Sequence, residues 1–151
     1  MHQAAPTSKD KNAMLREVTR LLDELAPERT NARATQAGAA IKQHRSPNGC
    51  ILQAEAAALS VTFYAQADDQ DRVGELQIVL WRGVVSRRGA VVVPSRKAAE
   101  VVRQEVVNPI EAPTDGSVWR SRDGTLYTTP ALAAYCLAML EQQIAETPQA
   151  E

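Results

Sequence analysis

Met14, Leu15, Val18, Leu21, Leu22 and Leu25 recur at intervals of three and four, with Arg16, Glu17, Arg20, Asp23 and Glu24 between them. That spacing predicts an amphipathic helix over residues 10–25. Ser8 or Asp10 can cap its start, and Pro27 stops it. Residues 28–40 have alanine as their only apolar content and suit a short helix or a loop. From Ala39 the pattern turns strand-like through Ile41 and His44, because Ser46-Pro47-Asn48-Gly49 follows and suits a type I turn. Further on, Leu59, Val61, Phe63 and Ala65 alternate with Ser60, Thr62, Tyr64 and Gln66, the period of a half-buried strand. Residues 50–66 are long for one strand, so their alanine-rich first half predicts a separate short one.

Residues 67–73 form a polar loop, and 74–86 the next strand, with Leu76, Ile78 and Leu80 on one face. Antiparallel pairing then sets Phe63 against Leu76, Val61 against Ile78 and Leu59 against Leu80. It leaves Trp81 and Tyr64 on the outer face. It also turns Arg82 inward, which is costly for a charge, and a bulge at Gly83 would relieve this. Ser86-Arg87-Arg88-Gly89 predicts a turn, and Ala90–Val93 a returning strand. Residues 95–107 predict a helix capped by Ser95, with Ala98, Ala99, Val102 and Val106 as its inner stripe. Its four valines oppose that assignment, because β-branched side chains lose rotamer freedom in helices. Asn108-Pro109 ends it, and 109–117 is a loop. Residues 118–128 predict a hairpin around Asp123-Gly124. Thr129-Pro130 reads as a helix cap followed by proline in the first turn. The helix runs to about Glu146 and is apolar on nearly all sides, as a sandwiched or interface helix is.

The order α-β-β-β-β-α-β-β-α predicts an α+β fold, an antiparallel sheet of about five or six strands with helices on one side. At 151 residues it forms one domain, residues 10–146, between disordered tails at 1–9 and 147–151. With one Phe, two Trp and three Tyr, its core must be built from aliphatic residues. The N-terminus has no apolar run of the kind a signal peptide needs, and no stretch approaches a membrane span. Cys50 and Cys136 lie far apart and read as two reduced thiols of a cytoplasmic protein.

The net charge of −1 is unevenly spread. Residues 72–122 carry an excess of arginine and lysine, whereas 123–151 carry acidic residues and no basic one. The preference for arginine over lysine suits bidentate contacts, but the codon usage of a GC-rich, bacterial-type genome explains it equally well. Arg87, Arg88, Arg96, Lys97, Arg120 and Arg122 would form an anion or nucleic-acid surface if the two hairpins lay side by side. Trp81 or Trp119 could then stack on a base. The negative net charge and the absence of a nucleic-acid motif favour solvated turn tips instead. Ser46–Gly49 shares the Ser-x-x-Gly frame of the two arginine-bearing turns without any arginine, so that frame owes nothing to charge.

Catalytic signatures are missing. No nucleophile elbow, phosphate loop or metal-ligand spacing occurs. Asp68, Asp69 and Asp71 lack the glycine and closing glutamate of a calcium loop. A 41–45/50–54 hairpin could bring His44 near Cys50, but a surface histidine beside a structural cysteine is the favoured reading. Glu55 reads as a partly buried, salt-bridged carboxylate. No cofactor is expected.

In element order alone the chain resembles type III secretion chaperones, small cytosolic dimers that hold an effector segment. It carries an extra strand before residue 50 and no shared motif. The expectation is a non-enzymatic, cytoplasmic protein-binding module that forms a homodimer or engages a protein partner. Its outer-face Trp81 and its C-terminal helix, through Leu132, Tyr135, Met139 and Leu140, supply the surface to be covered. The alternatives are a nucleic-acid or phosphate-binding domain and a small-molecule pocket between sheet and helices.

Overall fold

The register expected from alternation is the register found. In a computed structural model describing residues 8–26, 41–65, 74–88, 91–95, 99–110 and 116–146, strand β3 (Ala57–Ala65) pairs antiparallel with β4 (Gly74–Arg82). Phe63 lies opposite Leu76, Val61 opposite Ile78 and Leu59 opposite Leu80. Before β3 come α1 (Ser8–Glu24), β1 (Lys42–Ser46) and β2 (Gly49–Gln53). After β4 come β5 (Val85–Arg88), β6 (Val91–Pro94), β7 (Glu100–Pro109), β8 (Trp119–Ser121), β9 (Leu126–Tyr127) and α2 (Thr129–Glu146). The fold is α+β. Its seven-stranded antiparallel sheet has the order β1-β2-β3-β4-β7-β8-β9, and β5 and β6 form a separate two-stranded sheet.

The inner face of the large sheet carries Cys50, Leu52, Leu59, Val61, Phe63, Leu76, Ile78, Leu80 and Val107. The apolar stripes of α1 and α2 close over it: Val18, Leu21, Leu22 and Leu25 from one helix, Leu132, Cys136, Leu140 and Ile144 from the other. Trp119 is fully buried in this layer, edge-on to Phe63. Its indole N–H donates to the Thr129 hydroxyl at 3.1 Å, and that hydroxyl donates to the Glu17 carboxylate, tying β8 to both helices. The outer face has its own smaller core of Ile51, Ala58, Trp81 and Val85, with Val79, Val92 and Ala99 against it. Here the β5–β6 hairpin lies on the sheet.

Five expectations are corrected. The helix foreseen over 95–107 is instead strand β7, so the element order that suggested a secretion chaperone is not present. Pairing along β4 from Leu76–Val107 to Arg82–Glu100 outweighs the helix-forming Ala, Glu, Arg and Gln of this segment. The strand foreseen over 74–86 breaks at Gly83, whose φ of 110° suits glycine alone. Ser86, Arg87 and Arg88 therefore belong to β5 and not to a turn. The bulge lies not at Gly83 but in β7, where the register slips between Leu80–Arg103 and Trp81–Val101. Arg82 ends its strand exposed and paired with Glu100 at 2.7 Å. At the last helix the cap is Thr128, not Thr129: the Thr128 hydroxyl accepts from Ala131 N at 3.1 Å, and its carbonyl accepts from Leu132 N at 2.9 Å. The 28–40 segment, Asp68, Asp69, Asp71, the tail at 147–151 and residues 1–7 lie outside the described residues, while Ser8 and Lys9 open α1.

Candidate functional site

The arginines expected to gather are dispersed. Arg120 and Arg122 are exposed on and just after β8. Arg87 and Arg88 belong to the hairpin over β2, and β3, β4 and β7 intervene in the sheet order. Four strand spacings amount to roughly 19 Å. Arg96 lies outside the described residues. Neither tryptophan offers a stacking face. Trp119 is fully buried, and Trp81 is 8% exposed beneath the hairpin, its N–H donating to the Ser60 hydroxyl at 3.1 Å.

The C-terminal helix is likewise covered within the chain. Leu132 and Leu140 are fully buried and Met139 nearly so, so these side chains present no face to a second copy. Tyr135 is half-buried at the sheet's margin. It accepts from Arg103 Nη2 at 2.7 Å and donates to the Glu105 carboxylate, while Arg103 Nε reaches Glu105 at 2.8 Å. Desolvation, reinforced by that carboxylate, pushes the Tyr135 hydroxyl up to about 12. The cluster is a bridge between β7 and α2: every charge in it is paired.

The Cys50–His44 idea fails on geometry. The β1–β2 hairpin forms, but it sets Arg45 opposite Cys50 and His44 opposite Ile51. The histidine side chain therefore projects from the other face of the sheet. Burial pushes the Cys50 thiol up to about 12, and that of Cys136 higher still. Such thiols are inert as nucleophiles. Glu55 is exposed in the β2–β3 connection. Among the described residues no three histidine, cysteine or acidic side chains are placed to hold a metal ion, and no helix is long and apolar enough to cross a membrane.

Two features remain. The first is the free edge of β7. Strand β8 pairs only with Val107–Pro109, so residues Glu100–Val106 have β4 on one side and no described strand on the other. Ile110 N donates to Val118 O on the β8 side. Main-chain groups alternate between the two neighbours of a strand, so those of Asn108, Val106 and Gln104 face that same side. Pro109 fits this alternation: its missing N–H would face Gly74 O, and the Asn108 side-chain amide donates there instead, at 3.2 Å. Along this edge Glu100 to Gln104 are all exposed, Val101 at 52% and Val102 at 39%.

The second feature is Arg87. Its partner across the hairpin, Val92, packs on the outer core, as does Val85 two residues earlier. Alternation therefore aims Arg87 at the large sheet as well. Both terminal guanidinium nitrogens are buried without a hydrogen-bond partner. Sequence reasoning named Arg87 but placed it on a solvated tip. Val85 and Val92, two apolar residues on one face of the hairpin, were the available sign that this side of it is covered. No protein-family model matches the chain, and neither the curated proteins nor the solved structures give a significant match.

Proposed function

We propose that the protein is a non-enzymatic protein-binding module that takes an extended segment of a partner as an added strand along β7. The observation that carries this reading is the edge at Glu100–Val106, which no described strand pairs, with Val101 and Val102 exposed on it. Seven strand residues offer roughly 23 Å of edge. In strand addition, main-chain bonds supply affinity, and side-chain contacts on alternate positions supply selectivity. A second copy fits this edge less well than a peptide. In an antiparallel β7–β7 dimer, the β8 of each copy, which occupies Val107–Pro109, would confine the paired stretch to Glu100–Val106. The reading places the protein in the cytoplasm, in keeping with two free thiols.

The test is selection of a displayed heptapeptide library on the whole protein. It should enrich peptides rich in β-branched residues at alternate positions. Gln104→Pro removes one edge donor and leaves the β4 side intact, so it should abolish their binding while the fold, checked by circular dichroism, persists. Failure to enrich any peptide would refute the proposal. So would Gln104 and Val106 amides that already resist hydrogen exchange as fully as Glu105 in the isolated protein.

A further inference from the structure

We infer that Arg87 anchors a binding site for an oxyanion, a phosphate or carboxylate group, between the β5–β6 hairpin and the outer face of the large sheet. The two terminal guanidinium nitrogens are buried and make no hydrogen bond. Arginine keeps its charge at any pH a folded protein meets, so burial cannot be relieved by losing a proton. A buried charge without a partner is strongly unfavourable, and a bidentate oxyanion is what a guanidinium edge accepts best.

Polar side chains share the covered face with the apolar residues of the outer core. Ser60 and Thr62 of β3, 2% and 3% exposed, lie on the same outer face that the hairpin covers. The Ser60 hydroxyl accepts from the Trp81 indole and so keeps its own proton to donate. The strand that carries Arg87 packs against β2. Gly49, opposite Thr62, adds no side chain to this part of the face. Among the described residues no carboxylate bonds to Arg87: the ion pairs of Arg45, Arg82 and Arg103 use Asp23, Glu100 and Glu105.

Access follows from how the hairpin is held. Its polar ties cluster at its base: Gly83 N to Ala56 O, Gln53 Nε2 to Gly83 O, and Val85 N to Gln53 Oε1. Beyond that base the hairpin rests on the sheet through Val85 and Val92. A two-stranded hairpin is marginal by itself, so its far end can lift and admit an ion while the base stays fixed.

The experiment uses the whole protein in chloride buffer at constant ionic strength, titrated with sodium phosphate or sodium acetate. Thermal melting and the arginine side-chain N–H resonances are followed together. Phosphate or acetate should raise the melting temperature by about 5–10 °C at a hundredfold excess over its Kd, and should shift one arginine resonance saturably. Whichever of the two gives the larger response identifies the anion class. Arg87→Met should lose the response while melting no lower than the parent in chloride, because it removes an unpaired buried charge. Arg87→Lys provides a second test, as it retains a charge but not the fork, and its response should fall at least tenfold in affinity. No saturable response in the parent protein, or equal responses in parent and variants, would overturn the inference. Because peptide binding at β7 does not involve Arg87, the two proposals stand or fall separately.

Discussion

Replacing Gly49 with alanine should destabilise the protein heavily, although its backbone conformation is not the reason. Gly49 is absent from the glycines with positive φ. The obstacle is space. A Cβ at this position would sit 2.2 Å from Val61 O, 3.0 Å from Thr62 Cα and 3.2 Å from Val61 C. All three are backbone atoms in an interior strand of the sheet, so none can swing aside. Relief requires β2 and β3 to part by about 1 Å, given ordinary carbon–oxygen contacts of about 3.3 Å. That movement breaks the stitching beside Gly49, where Phe63 N donates to Asn48 O at 2.8 Å and Asn48 Nδ2 donates to Phe63 O at 3.0 Å. Two such bonds contribute about 2 kcal/mol together, and overpacking a sheet interior costs about 1–3 more. The expected loss is therefore about 3–5 kcal/mol, or a fall in melting temperature of about 6–20 °C for a chain of this size. Gly124 provides the control. Its φ is +92° with nothing within 4 Å of an added Cβ, so Gly124→Ala costs only backbone strain of about 1 kcal/mol. Calorimetry or circular dichroism of the two variants decides the matter. A Gly49→Ala protein melting within 2 °C of the parent, or above Gly124→Ala, would refute the reasoning.

Thr129→Val should cost about 1–3 kcal/mol, because it orphans the buried Trp119 indole N–H and removes the hydroxyl that binds Glu17; urea unfolding followed by tryptophan fluorescence reads both the loss and the altered environment. Stability should also fall in alkali. Burial raises both thiols from their ordinary value of 9.0, so unfolding above pH 9 releases protons that the native state retains. The stability is complete below pH 9 and declines by about 1.4 kcal/mol per pH unit for each thiol up to about pH 12. Cys50→Ala should roughly halve that slope in urea midpoints measured from pH 8 to 11, and an unchanged slope would exclude Cys50 as a source.

The sequence made the β3–β4 register legible because both strands keep one face buried and alternate without interruption from Leu59 to Phe63 and from Leu76 to Leu80. Strand β7 was hidden for three physical reasons. Its bulge at Val101-Val102 breaks the alternation. Its inward Arg103 and Glu105 meet Tyr135 and one another instead of the apolar core, so they read as a solvated helix face. Its exposed half carries helix-forming residues because no second strand packs there. The surplus of valines was the one signal in favour of a strand. The β5–β6 hairpin was foreseen, but its separation from the large sheet was not. Val84 to Val93 reads as the continuation of a sheet, and only Gly83 marks the point where the chain leaves β4 and folds back over its outer face. Within α2 the apolar pattern was correctly seen as sandwiched, but the sequence does not say by what. The answer is α1 and the sheet, which cover Leu132, Met139 and Leu140.

The open edges of this sheet are defended unequally, and that contrast bears on function. At one end β1 exposes Lys42, His44 and Arg45, with Arg45 held to Asp23 at 2.8 Å and Gln43 bonded to the last carbonyls of α1. Charge on a short edge strand is the usual protection against unwanted pairing. At the other end β9 is two residues long, too short to template a partner. The Glu100–Val106 segment is defended less: it carries the charges of Glu100, Arg103 and Glu105, but it is long, it continues a ten-residue strand, and its exposed side chains include two adjacent valines. An edge of this kind invites aggregation. The bulge does twist it locally, which limits stacking with identical copies while leaving room for a single added strand. The β8 segment imposes the same selection by occupying the neighbouring Val107–Pro109 stretch. On the proposed reading these features disfavour β7 of a second copy and favour a narrow peptide, so the hazard of the open edge would be confined to the geometry in which it serves as a docking surface.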